Sequence, residues 1–198
     1  MADPNPSTDS ADLLDGLRRD FAETLIDQGL LIPTGIDGLY GRSGVFESIV
    51  EGIDHAVRAA GAAAHGSTPR VLRFPPVFPR ANFEKTDYIA SFPNLTGAIS
   101  TFLGDNKAHR ALLADRENGL SWDGHLAPAG TMLVSAACHP SYAGLAGRLD
   151  SAVLMDVYGY CFRHEPSIDP MRMQAFRMHE FVSVSYTHLR AHETRHDL

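Results

Sequence analysis

The sequence predicts an α+β fold in which helices come first and long antiparallel strands follow. Three observations carry that expectation. Apolar residues recur at helical spacing across residues 12–28 and 43–62; runs rich in β-formers cover 152–162 and 171–182; and a proline-containing segment, 165–170, separates those two runs as the loop of a hairpin would. With 198 residues, 44% hydrophobic and 21% charged, the chain is long enough for one domain with a real core.

Residues 1–10 are polar, with two prolines, and read as disordered. Leu13, Leu14, Leu17, Phe21, Leu25 and Ile26 then define an amphipathic helix that Gly29 can stop. Residues 32–40, with Pro33, Gly35 and Gly38, read as a short extended or hairpin segment. Ser43 can cap the clearest helix of the chain, in which Val45, Phe46, Ile49, Val50, Ile53, Val57 and Ala60 line one face before Gly61. An Ala/Gly-rich linker, 61–69, leads to a strand at 71–74. Pro75 and Pro76 end it, because proline removes a ladder donor. Residues 77–106 read as loops and short elements, 108–117 as a short helix, and 131–137 as a strand before the hairpin.

Several function classes are disfavoured by composition. A formal net charge of −7 offers no basic surface for wrapping nucleic acid. Apolar stretches fall short of a membrane span, and the N-terminus lacks the basic and apolar regions of a signal peptide, so cytoplasm is the expected compartment. Cys138 and Cys161 do not make a disulfide framework and read as thiols or metal ligands.

The chemistry concentrates in Cys161-Phe162-Arg163-His164-Glu165, a loop, and Phe176-Arg177-Met178-His179-Glu180. On a strand, Arg163 and Glu165 share a face, as do Phe176 and Glu180. An Arg beside a Glu is commonly a plain ion pair. The plain ion pair is the default reading, and the alternative is a nucleotide site, with the guanidinium forking onto a phosphate and the aromatic ring offering a plane to a base.

The pattern Phe-Arg-x-Glu, loop, Phe-x-x-x-Glu resembles motif 2 of the class II aminoacyl-tRNA synthetases, particularly the seryl branch. That resemblance implies that Arg163 binds the α-phosphate of ATP, that Glu165 helps hold the adenine end, that Phe176 stacks on adenine, and that Glu180 faces the amino-acid pocket. The helix at 43–62, the strand at 71–74 and Pro75-Pro76 resemble motif 1, which implies a homodimer through that unit. Cys138 is by default a small buried apolar side chain. Paired with Glu180, however, it resembles the zinc ligands of the atypical seryl-tRNA synthetases of methanogens and of their bacterial relatives, the amino acid:[carrier protein] ligases. In both groups a second, distant Cys completes the site and the substrate amine takes the open zinc position, which is sound chemistry for thiolate and carboxylate donors. Leu72-Arg73-Phe74-Pro75-Pro76, Ser91-Phe92-Pro93-Asn94-Leu95-Thr96-Gly97 and Cys161 through Ser167 resemble the carrier-protein ligases in wording as well.

The resemblance implies a class II synthetase catalytic fold, an antiparallel sheet flanked by helices, with ATP, Mg²⁺ and Zn²⁺ as cofactors. It further implies activation of a small amino acid, glycine or alanine, to an aminoacyl adenylate and its transfer to the phosphopantetheine thiol of a carrier protein. The alternatives are tRNA charging of the atypical seryl type, disfavoured by the acidic charge and the short N-terminal segment, and a non-catalytic paralogue that acts as a binding module. Motif 3 and the distant zinc cysteine are not found, so the chain is expected to be inactive alone and to expose sheet edges.

His139, His164 and His179 read as surface or core histidines, and Arg172 and Arg177 either reach phosphates or an acidic carrier or are simply solvated. Val184 through Thr194 has no apolar period and matches one reading frame of a common transposase sequencing adaptor. The expected division is therefore a disordered 1–10, a synthetase-like catalytic part at 11–182, and a non-natural tail at 183–198.

Overall fold

A computed structural model of the protein describes residues 8–65, 68–147, 149 and 151–184. The first helix, α1 (Thr8–Asp27), begins inside the stretch expected to be disordered; residues 1–7 lie outside the described residues. Next comes the hairpin of β1 (Leu31–Ile36) and β2 (Leu39–Arg42). Gly38 at its turn has φ +78°, a conformation glycine adopts without strain. Its carbonyl accepts the Gln174 N–H at 2.8 Å, so this hairpin holds the loop that leads into the last strand.

Helix α2 (Gly44–His65) starts as expected, with the Phe46 N–H donating to Ser43 Oγ at 3.3 Å. Its apolar residues form two stripes. Phe46, Val50 and Val57 are partly buried, whereas Val45, Ile49 and Ile53 are more than half exposed. Gly61 sets how closely α2 approaches the sheet, because a Cβ there would lie 2.2 Å from the Phe181 ring.

Short elements follow: β3 (Arg70–Leu72), β4 (Val77–Pro79), α3 (Arg80–Phe83), α4 (Tyr88–Ser91) and β5 (Ala98–Phe102). Helix α5 (Asn106–Glu117) is capped by the Asp105 carboxylate, which accepts from the Lys107 and Ala108 N–H groups. The chain continues through β6 (Leu126–Leu133), a 3₁₀ segment His139–Leu145, and the long strands β7 (Val153–Phe162) and β8 (Ala175–Val184).

Among the described residues the strands make two three-stranded sheets, ordered β3-β7-β8 and β4-β6-β5, besides the β1-β2 hairpin. Ten antiparallel pairs join β7 to β8, from Val153↔Val184 to Phe162↔Ala175. The two sheets meet where the Phe162 N–H donates to the Val134 carbonyl at 2.7 Å and the Val134 N–H to Pro76 O at 3.0 Å. Phe78, Phe83, Met132, Val134, Ala137, Met155, Val157 and Cys161 form the core between them. No helix is long and apolar enough to cross a membrane among the described residues.

The structure differs from the sequence reading in several places: the linker expected at 61–69 is helical as far as His65, and the strand expected at 71–74 is β3, Arg70–Leu72. The strand expected at 131–137 is β6, which begins at Leu126 and ends at Leu133, where the chain leaves the ladder to bridge the sheets. The last strand starts at Ala175, not at 171, because residues 169–172 form a turn in which Met171 and Arg172 donate to Asp169. The sheet is not wholly antiparallel: β3 runs parallel to β7, which the long connection between them permits. Finally, Ser183 and Val184 pair with Leu154 and Val153, so β8 continues past the boundary expected at 182. The rest of the expected tail, 185–198, lies outside the described residues.

Candidate active site

The β7–β8 hairpin presents two faces, because side chains alternate along each strand. Phe176, Met178 and Val182 pack toward the core, and Glu180 shares their face by period. Arg177 and His179 point the other way and meet acids of α2: Arg177 pairs with Glu47, and His179 Nδ1 lies 2.7 Å from Asp54 Oδ1.

Arg163 follows the last residue of β7. Its N–H donates to the Gln174 carbonyl at 2.9 Å, which extends the ladder by one step and fixes its Cα. Its Nε donates to the Ser135 carbonyl at 3.1 Å, and its guanidinium carbon sits 5.3 Å from the centroid of the Phe176 ring. One edge of the guanidinium is thereby anchored, and Nη1 and Nη2 carry no protein partner among the described residues. A fixed arginine with its terminal fork unoccupied suits a phosphate.

Glu165 is not on a strand with Arg163. Its N–H donates back to the Arg163 carbonyl at 2.8 Å, so the two residues sit in a tight turn, and the reading that strand alternation puts them on one face is corrected. Glu165 pairs instead with Arg172 across the loop. A cavity of about 470 Å³ opens here, lined by Arg42, Phe46, Arg163, Glu165, Arg172 and Phe176 among others, within the size range of small-molecule sites.

Cys138 ends the segment that leaves β6. Its N–H donates to Glu180 Oε2 at 2.8 Å, joining two residues 42 apart in sequence. Its thiol lies between the Tyr142 hydroxyl and the Glu180 carboxylate, in hydrogen-bond reach of both. Burial, reinforced by the Glu180 charge, pushes the Cys138 thiol up to about 11. Burial likewise pushes Cys161 up to about 12, with Glu180 and Cys138 adding to it. Burial lowers the His139 imidazole, against the pull of Glu180 and with the help of Arg163. These mutual influences put Cys138, His139, Cys161, Glu180 and Arg163 in one neighbourhood. As donors, Cys138 and Glu180 have the thiolate and carboxylate chemistry that zinc accepts. No third His, Cys, Asp or Glu completes a metal-holding group with them among the described residues.

Sequence reasoning left out Ser135, Tyr142 and Gln174. Ser135 and Gln174 act through backbone carbonyls, which carry no sequence signal, and Tyr142 sits in a 3₁₀ segment without periodicity. Arg172 and Arg177, left between ligand contact and solvent, are engaged with Glu165 and Glu47.

No family model matches the chain. It is 40% identical over 156 residues to amino acid–[acyl-carrier-protein] ligase 1 of Bradyrhizobium diazoefficiens, covering 76% of this chain and 46% of the relative. To ligase 2 of the same organism it is 38% identical over 167 residues, covering 81% and 48%. The chain thus spans about half the length of the curated relatives it matches. Among solved structures it resembles M. kandleri SerRS in complex with A. aeolicus tRNASec, at a TM-score of 0.64 and 16% identity over 81% of this chain and 33% of that one. It also resembles Giardia lamblia prolyl-tRNA synthetase in complex with prolyl-adenylate, at 0.61 and 15% over 91% and 34%. The chain is a homologue of the amino acid–[acyl-carrier-protein] ligases, built on the catalytic fold of the class II aminoacyl-tRNA synthetases.

Proposed function

We propose that this chain forms part of an ATP-dependent ligase that activates a small amino acid, glycine or alanine, and passes it to the phosphopantetheine thiol of a carrier protein. The observation that carries the reading is Arg163, anchored through its N–H and Nε, set against Phe176, and without a partner at its terminal nitrogens among the described residues, beside a cavity. In the first step the amino-acid carboxylate attacks the α-phosphorus of Mg²⁺-bound ATP and pyrophosphate leaves. The Arg163 fork stabilises the charge that gathers on the α-phosphate oxygens. Phe176 supplies the plane for adenine, and Glu165 holds the adenine end once Arg172 yields it. In the second step the thiol sulfur bonds to the carbonyl carbon as the C–O bond to AMP breaks. AMP takes the electron pair, and the thiol proton is released.

Cys138 and Glu180 would hold zinc, with a further donor from outside the described residues. Bound zinc would act as a Lewis acid that receives the substrate's neutral amine. In the absence of metal the Cys138 proton is kept on the thiol by burial, so metal binding would release it. The outward stripe of α2 would form a homodimer.

The test is equilibrium binding of ATP and of a non-hydrolysable glycyl-adenylate analogue to the chain. The Arg163→Ala variant is expected to weaken the analogue by about 10- to 100-fold, the worth of a charge-assisted phosphate contact. A folded protein that binds neither ligand, or whose affinity ignores Arg163, would remove the basis of the reading and leave the non-catalytic paralogue in front. Tight binding of tRNA would favour tRNA charging instead.

A further inference from the structure

Three hydrogen bonds meet at Gln174, which is 3% exposed. Its N–H donates to the Gly38 carbonyl at 2.8 Å and its side-chain Nε2 donates to the Asp37 carbonyl at 2.7 Å, so both bonds end on the β1–β2 turn. Its own carbonyl accepts the Arg163 N–H at 2.9 Å. Gln174 thus stands between the turn and the arginine and fixes the distance from one to the other. The fit against the turn is close: a Cβ on Gly38 would lie 3.0 Å from Gln174 Cγ and 3.3 Å from the Arg172 carbonyl oxygen. Two further contacts tie the N-terminal elements to the same loop. Arg42 Nη2 donates to the Ala175 carbonyl at 2.7 Å, with its guanidinium carbon 5.7 Å from the ring centroids of both Phe46 and Tyr160. From α1, Arg18 Nε lies 3.5 Å from Asp169 Oδ2.

We infer that Gln174 is a positioning residue for Arg163, and that the β1–β2 turn is the fixed post against which it works. The inference rests on the proposed function, in which Arg163 meets the α-phosphate. Residues 163–174 belong to no strand or helix, so the place of Arg163 past the end of β7 depends on where Gln174 is held. A side-chain amide suits that position, because it donates to a backbone carbonyl and brings no charge into a buried place. A glutamate would turn an acceptor toward the Asp37 carbonyl, and a methionine would leave that carbonyl without its donor. Gln174 does not line the cavity beside Arg163, so its effect on a ligand passes through the arginine. Misplacement of about 1 Å at a reacting centre can cost about 100-fold in rate, which makes the post as consequential as the terminal fork it holds in place.

The probe is the non-hydrolysable glycyl-adenylate analogue, titrated against the parent chain, Gln174→Met, Arg163→Ala and the double variant. Gln174→Met is expected to weaken the analogue by about three- to tenfold, the worth of one hydrogen bond passed on to Arg163. It should add nothing once Arg163 is alanine, a coupling that a residue serving only the stability of the fold would not show. Gly38→Ala presses on the same contact from the turn; it should reproduce the loss and likewise have no effect beside Arg163→Ala. Thermal unfolding establishes which variants are folded, and either of the two, if folded, carries the test. Amide hydrogen exchange in the ligand-free chain is the second readout. Gln174→Met should speed exchange at the Arg163 N–H and leave the Val134 N–H, bonded to Pro76 O, unchanged. A folded Gln174→Met variant that binds the analogue as the parent does, or that loses equally with and without Arg163, would overturn the inference alone, provided Arg163→Ala still weakens binding. An affinity that ignores Arg163 would overturn both, with the error in the proposed function.

Discussion

The two faces of the β7–β8 hairpin are built from the same twenty residues of strand and resolve their polar groups in opposite ways. On the face against α2, each charge has an opposite charge nearby. Asp156, fully buried, lies 3.0 Å from Arg73 Nη1, 3.0 Å from His179 Nε2 and 3.5 Å from Arg58 Nε. His179 and Arg58 both reach Asp54, at 2.7 and 2.8 Å, and Arg177 takes Glu47. On the core side, among the described residues, Arg163 has no partner at Nη1 and Nη2, His139 Nδ1 is buried without one, and two thiols sit beside a carboxylate. A buried charge that is already neutralised binds α2 to the sheet. A fixed polar group that lacks a partner is available to a ligand. Both faces carry charged residues and both hold buried polar atoms without a hydrogen bond, Arg177 Nη2 and Asp156 Oδ2 as well as His139 Nδ1; what separates them is whether an opposite charge stands beside each charge.

The largest expected effect tests that division directly. Asp156→Ala would take from Arg73 its carboxylate partner and leave Arg58 and His179 to share Asp54 around a buried vacancy, and removal of one member of a buried ionic group costs about 3–5 kcal/mol. Glu180→Gln on the opposite face keeps an oxygen to accept the Cys138 N–H and should cost about 1 kcal/mol or less. Urea unfolding of the two variants beside the parent measures both. Equal losses would show that the two faces are not energetically distinct.

A smaller effect sharpens the comparison from the side of the site. Cys138 and Cys161 have folded-state values of about 11 and about 12, against about 8.5 for an unfolded thiol. Between those values the unfolded chain loses thiol protons that the folded chain keeps, so the unfolded state binds fewer protons and stability falls as pH rises. The contribution is intact below about pH 8 and is lost progressively toward pH 11 and 12. A Cys138→Ala/Cys161→Ala double variant should show a flatter stability profile across that window. Alkylation by iodoacetamide at pH 8 should be slow in the folded chain and fast in urea. Rapid alkylation of the folded protein at pH 8 would contradict the buried, protonated thiols.

How far the sequence disclosed this arrangement depended on which groups carry the structure. Periodicity found α1, α2 and the hairpin, because each carries a stripe of apolar side chains, although in α1 that stripe (Leu13, Leu14, Leu17 and Phe21) stays exposed. It missed β4 and β5, which are only Val77–Pro79 and Ala98–Phe102 and owe their existence to pairing with β6. The opposite facing of His179 and Glu180 follows from strand alternation and was legible. The turn that takes Glu165 off the strand is made by one backbone hydrogen bond and was not. The proximity of Cys138 to Glu180 was suggested by a family resemblance, since no spacing rule joins residues 42 apart on separate elements. His139 and Tyr142 had no such guide.

The smallest effect on stability belongs to the outer side of α2, one layer beyond the paired face. There Val45, Ile49 and Ile53 are exposed by 63, 55 and 57%, and Val71 on the edge strand β3 by 58%. An apolar stripe with no cover in the monomer gains little from being apolar while the chain is alone, so Ile49→Glu with Ile53→Lys should change monomer unfolding by only about 0.5 kcal/mol. If the stripe is the dimer contact, the same pair of changes places charges in a desolvated interface, and self-association should weaken by at least about 100-fold. Sedimentation equilibrium on parent and variant separates the two consequences. A parent that stays monomeric at high concentration, or a variant that associates as tightly as the parent, would mean that the stripe is not a homodimer surface. Loss of association without loss of monomer stability would show that α2 uses one side to hold its own sheet and the other to meet its copy.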